Sequence, residues 1–110
     1  MGLTKTENFT DAQNAIAAIA KVLGHPARIA ILQLIIKTDS CICRDLVNEI
    51  GLAQPTISQH LKELKSIGLI KGNIDGTRVC YCIDQSNWDL LRKPLMTFLN
   101  QKPLPIQECC

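Results

Sequence analysis

Six cysteines in 110 residues fall into three close pairs, Cys41-x-Cys43, Cys80-x-Cys82 and Cys109-Cys110. Close pairs suit chelation or redox chemistry better than the stapling of distant segments. Thiolates are soft ligands that select soft ions such as As(III), Cd(II), Pb(II), Zn(II) and Cu(I). The same sulfurs can also be oxidised to a disulfide or polysulfide. The opening segment MGLTKTENFTD is polar and has no secretory apolar stretch, so reduced thiols and a cytoplasmic location are expected. The longest apolar run, residues 29–36, is interrupted by Gln33 and is too short to span a bilayer, so no membrane partner is expected.

A second group of residues suits a different chemistry. Residues 54–62 read Gln-Pro-Thr-Ile-Ser-Gln-His-Leu-Lys, with Ile57, Leu61 and Leu64 at i, i+4 and i+7. The other face carries Gln54, Thr56, Ser58, Gln59, Lys62 and Lys65. Short polar side chains on a core-anchored helix can reach base edges in a major groove, while cations contact phosphates. Gln59 suits adenine, Thr56 and Ser58 suit bases or phosphates, and Lys62 and Lys65 suit the backbone. An ordinary solvated helix would show the same face, so its neighbours must decide. His60, beside Leu61, reads as a hydrogen-bonded structural histidine rather than a base reader.

Those neighbours follow from pattern. Thr10 with Gln13 has the capping-box form and opens a helix that runs to Leu23, ending at Gly24. Its stripe of Ile16, Ile19 and Leu23 serves either a core or a dimer interface. His25-Pro26 opens a second helix, apolar nearly all round and therefore expected at the centre. Thr38-Asp39-Ser40 caps a short third helix carrying Leu46, Val47 and Ile50 and stopping at Gly51. Pro55 starts the fourth helix and Gly68 ends it. Two strands, Leu69–Asn73 and Thr77–Ile83, join through Asp75-Gly76, with Lys71 and Arg78 near the tip. An Arg beside a tight turn can enter a minor groove or touch phosphate. A last helix, about residues 86–100, has a stripe of Trp88, Leu91, Leu95 and Phe98, and Pro94 should kink or split it.

The order is mainly α with one small β-hairpin: a winged helix-turn-helix. Residues 1–9 are expected as a flexible arm, 10–100 as the DNA-binding and dimerisation domain, and 101–110 as a flexible Cys-bearing tail. Hydrophobic residues at 46% and charged residues at 20% fit a globular domain, whereas a net charge of +2 does not by itself indicate nucleic acid.

Several segments together resemble the ArsR/SmtB family of metal- and metalloid-responsive repressors. They are Leu23-Gly24-His25-Pro26-Ala27-Arg28-Ile29, Cys41-Ile42-Cys43-Arg44-Asp45-Leu46, Gln54 to Leu61, and Asp75-Gly76-Thr77-Arg78-Val79. The resemblance covers roughly residues 12–99. It implies a homodimer built through the first and last helices, bound without any cofactor to a palindromic double-stranded operator and released by ligand. Two-fold symmetry would set the recognition helices about 34 Å apart.

The family patterns differ in where their ligands sit. A three-thiol arsenic site would need Cys at Leu46, a four-thiolate site would need Cys in residues 1–40, and a His/carboxylate site on the last helix would need histidines beyond His60. None of these is present. Cys41 and Cys43 therefore lead as ligands for As(III) or another soft ion, acidified at the start of the third helix. In a regular helix i and i+2 point about 200° apart, so joint ligation would strain or unwind that turn. Two small buried thiols filling space would be the alternative.

A third sulfur is expected from Cys109 or Cys110, since a ten-residue tail can extend about 33 Å. Cys80 and Cys82, which share a strand face opposite Tyr81, are the second choice, although packing suits them better. The expected function is an As(III)-released repressor and not an enzyme. A redox or persulfide-sensing repressor is the alternative. A thiol oxidoreductase or metal-buffering protein is the remaining one, without a Cys-x-x-Cys to support it.

Overall fold

The Thr10 hydroxyl accepts from the Gln13 backbone N–H at 3.0 Å, and the Gln13 side chain accepts from the Thr10 N–H at 2.9 Å. This reciprocal cap starts α1, Asp11–Leu23, as the sequence predicts. A computed structural model describes residues 6–37, 46–75 and 78–104, the side chains of Thr6, Val47, residues 73–75, Arg78 and Val79 excepted. A 3-10 turn at Thr6–Asn8 precedes α1. The remaining elements are α2 (Pro26–Ile36), α3 (Leu46–Ile50), α4 (Gln54–Ser66), β1 (Ile70–Asp75), β2 (Arg78–Ile83) and α5 (Gln85–Leu99). Mostly helical with one antiparallel hairpin, this is a winged helix-turn-helix.

α1 and α2 meet at 91°. The His25 ring caps α2 by accepting the Ala27 N–H at 3.1 Å, and Pro26 occupies the first turn, where its missing donor is not needed. Ala27, Ile31, Leu32 and Ile35 are buried, but Ile29 and Ile36 are exposed. The expectation of a helix buried nearly all round therefore holds on one flank only. Ile31, Ile35, Ile57, Leu64 and Ile70 form the driest part of the core. Each is worth roughly 1.5–3 kcal/mol of transfer free energy. This core ties α2, α4 and the hairpin together, with Leu46 joining from α3.

The hairpin pairs Ile70 with Ile83 and Asp75 with Arg78, leaving residues 76 and 77 between the strands. β1 thus starts one residue later and runs two residues further than expected: the Leu69 N–H closes the turn out of α4 on the Leu64 carbonyl, while the Leu69 carbonyl accepts from the Asp84 N–H at the foot of the hairpin. Tyr81 faces the core, and burial pushes its phenol upward from the ordinary 10.0.

α4 begins one residue before Pro55, with Ala53 as an N-cap that supplies no side-chain bond, and ends at Ser66. α5 is one continuous helix and is not split at Pro94. The carbonyl freed by the missing Pro94 N–H belongs to Leu90, whose side chain is 69% exposed, so water can satisfy it. Trp88 and Leu91 pack on the core, while Phe98 is exposed and α5 has no buried residue. Among the described residues, no single helix is long and apolar enough to cross a membrane.

Candidate nucleic-acid interface

Ile57, Leu61 and Leu64 hold one face of α4 in the core, so the opposite face is presented outward. Gln54, Thr56, Gln59, Lys62 and Lys65 are exposed and Ser58 is half-buried. Two i, i+4 hydrogen bonds order this face: Gln54 Nε2 donates to Ser58 Oγ at 3.2 Å, and Gln59 Nε2 to Glu63 Oε1 at 3.2 Å. Lys62 has its ammonium at the surface, whereas Lys65 Nζ donates to the Gly72 carbonyl at 3.1 Å. Lys65 thereby ties α4 to the first wing strand. The Arg78 backbone pairs with Asp75 at the end of the wing, and its side chain lies outside the described residues.

The fixing of α4 involves residues that sequence reasoning did not bring together. Arg28 Nε donates to His60 Nδ1 at 3.1 Å, and Arg28 Nη1 donates to the Val22 carbonyl at 3.2 Å. The His25 and His60 rings lie 4.4 Å apart at a 53° tilt. His60 is 6% exposed, and its Nε2 has no hydrogen-bond partner among the described residues. Burial, then the neighbouring His25 and Arg28, push its basicity below the ordinary 6.5. The expectation of a hydrogen-bonded structural His60 holds for one ring nitrogen. The signal for its partner was available in the His25-Pro26-Ala27-Arg28 segment, but no spacing rule links residue 28 to residue 60.

Cys41, Cys43, Cys109 and Cys110 lie outside the described residues. Cys80 and Cys82 are half-buried on the strand face opposite Tyr81, and both are disulfide-bonded. That differs from the expectation of reduced thiols at this pair; two thiols on one strand face can be joined by two-electron oxidation. Among the described residues, no group of three His, Cys, Asp or Glu side chains is placed to hold a metal ion.

Residues 25–71, which include α2, α3 and α4, match the family described as bacterial regulatory protein, arsR family. An HTH-type transcriptional regulator of Methanocaldococcus jannaschii is 41% identical over 68 residues, covering 61% of this chain and 75% of the relative. The arsenical resistance operon repressor of Staphylococcus xylosus is 31% identical over 80 residues, 73% of this chain and 76% of the relative. The match spans only 59% or 50% of the length of several Mycobacterium tuberculosis relatives. In fold, the chain is similar to a homodimeric winged helix-turn-helix domain of Mycobacterium bovis. The TM-score is 0.60 at 21% identity, over 98% of each chain. With α4 displayed beside a wing and these relatives in hand, the chain belongs to the ArsR family and is a DNA-binding transcriptional repressor, not an enzyme.

Proposed function

We propose that the chain acts in the cytoplasm as a homodimeric repressor that leaves a palindromic operator when Cys41 and Cys43 bind a thiophilic ligand, As(III) first. The observation that carries the DNA half is the α4 face, core-anchored on Ile57, Leu61 and Leu64 and exposed at Gln54, Thr56, Gln59 and Lys62. Gln59 reads a base, Thr56, Ser58 and Gln54 contact base or phosphate, and Lys62, with Arg78 on the wing, neutralises backbone charge. Lys65 contributes by holding the wing strand at its Gly72 carbonyl and by its charge.

Dimerisation through α1 and α5 is supported by what those helices leave open. An apolar groove of about 830 Å³ runs between them, bordered by Ile16, Leu90, Pro94 and Phe98. The chain is also elongated, with a radius of gyration of 16.9 Å, against about 13 Å for a compact domain of 100 residues. A second copy would cover that apolar surface.

The ligand half rests on the donor chemistry and on the similarity to an arsenical resistance repressor. Two thiolates just ahead of α3 suit As(III), which takes soft sulfur donors. The third sulfur comes from Cys109 or Cys110, in the segment that follows the domain at 10–100. α3 packs on both α2 and α4, so a distortion of the segment leading into it would be felt by the recognition helix.

A redox or persulfide response is the second reading, favoured by the disulfide state of Cys80 and Cys82. The test is fluorescence anisotropy of a duplex selected from a random pool, with arsenite, Cd(II), Zn(II), peroxide and polysulfide added in turn. Release by arsenite supports the first reading, and release by oxidants alone replaces it with the second. A chain ending at Gln107 with unchanged arsenite affinity would remove the tail cysteines from the site.

A further inference from the structure

We infer that Arg28 is a positioning residue for DNA reading: through His60 it holds α4 in its DNA-competent pose only while the His60 ring is unprotonated. This rests on α4 being the helix that meets DNA.

Arg28 sits in the first turn of α2 and touches two other elements. Its Nη1 takes the Val22 carbonyl of α1, and its Nε takes His60 Nδ1 in the middle of α4. A guanidinium holds both directions at once because its donors form a rigid fork. His60 lies one residue beyond Gln59 and two before Lys62, so the contact that fixes His60 also fixes the register of the polar face. The bond requires a bare Nδ1 on His60, which puts the proton on Nε2. Protonating Nδ1 removes the acceptor and sets an imidazolium against a guanidinium.

Among the described residues, the surroundings offer nothing to absorb that charge. From α2, the groups acting on His60 are His25 and Arg28, both of cationic type. His25 cannot accept from His60 at Nδ1, which already takes the Ala27 N–H. α3 carries Glu49 and β1 carries Lys71, both exposed to water. On α4 itself, Glu63 is engaged with Gln59. His60 Nε2 is buried without a partner among the described residues, so the ring cannot gain a compensating bond on that side. Acidification therefore loosens α4 from α2, and operator affinity falls. The sign is diagnostic, because acid ordinarily adds positive charge to a protein and strengthens its hold on DNA.

The test measures affinity by anisotropy for the pool-selected duplex between about pH 7.5 and about pH 5.5, in wild type, His60→Gln and Arg28→Lys. Gln can accept from Arg28 Nε and does not titrate. Wild type is expected to weaken as the pH falls, by less than the roughly tenfold that an imidazole at the ordinary 6.5 would give, and His60→Gln to show no such loss. Arg28→Lys, which lacks the fork, is expected to bind more weakly already at the higher pH. Wild-type affinity that is flat or rises in acid overturns the inference, as does an equal acid loss in His60→Gln.

Nitrogen NMR of His60 in the DNA-free protein tests the latch even if a variant misfolds or no duplex is selected. Nε2–H at neutral pH with Nδ1 bare is expected, and Nδ1–H overturns the inference. Failure to select any duplex counts against the DNA-reading role of α4, and leaves the ring assignment to judge the latch.

Discussion

Gly68 turns the chain from α4 into β1 and so sets the angle between recognition helix and wing. Its φ is +83°, and a Cβ added there would stand 2.5 Å from Asn87 Nδ2 of α5. Gly51, between α3 and α4, has φ of +82°, with none of the described residues within 4 Å of such a Cβ. The two glycines therefore separate backbone strain from collision. Gly51→Ala should cost about 1 kcal/mol, the penalty of a left-handed alanine. Gly68→Ala should cost that plus the displacement of Asn87, whose amide donates to Asp84 Oδ2 at 3.4 Å and whose backbone N–H donates to Oδ1 at 3.3 Å. Because the colliding atom ends a side chain, the added cost is about 1 kcal/mol, one weak hydrogen bond and a poorer rotamer. Urea denaturation at equal slope would measure both. In a cycle with Asn87→Ala, the collision part should disappear and leave Gly68→Ala near the Gly51 value. A Gly68→Ala cost no larger than that of Gly51→Ala, or no coupling in the cycle, would refute the reasoning.

Three further outcomes follow from the same geometry. Leu64→Ala opens the dry centre of the core and should cost roughly 2–5 kcal/mol in chemical denaturation. Lys62→Ala should weaken binding to all duplexes and lower the salt slope by about 1, whereas Gln59→Ala should relax preference at one base pair, worth about 1–3 kcal/mol. Both are read by affinity titrations at several salt concentrations. His60 binds its proton more weakly when folded than its ordinary value of 6.5, so the unfolded chain takes up the proton first. The stability this provides is complete above that ordinary value and is lost as pH falls through the lowered one. Melting curves should show a larger drop in Tm between about pH 7.5 and about pH 5.5 for wild type than for His60→Gln.

Local signals in the sequence were the ones that could be read. The Thr10–Gln13 cap and the Ile57–Leu61–Leu64 stripe each depend on residues within a turn or two, and each formed where expected, while the hairpin formed with its strand ends shifted and its Gly76-Thr77 step outside the described residues. Pro94 does not split α5, because proline's penalty depends on whether the freed carbonyl meets water, which is a property of the tertiary surface. The helix α4 began without a side-chain cap because packing of its apolar stripe outweighs one missing bond. The polar face of α4 was legible, but the Arg28–His60 contact that orients it spans 32 positions of sequence. No periodicity reaches that far. The chemistry of Cys80 and Cys82 was legible as a shared strand face, whereas their oxidation state was not, since it depends on environment rather than spacing.

The central claim is that thiolates ahead of α3 control DNA release through α4. The most direct measurement adds arsenite to preformed duplex complexes of wild type and of the double variant Cys41→Ser/Cys43→Ser, following anisotropy. Wild type should release the duplex while the variant, with equal starting affinity, stays bound. Equal release from both would contradict the account.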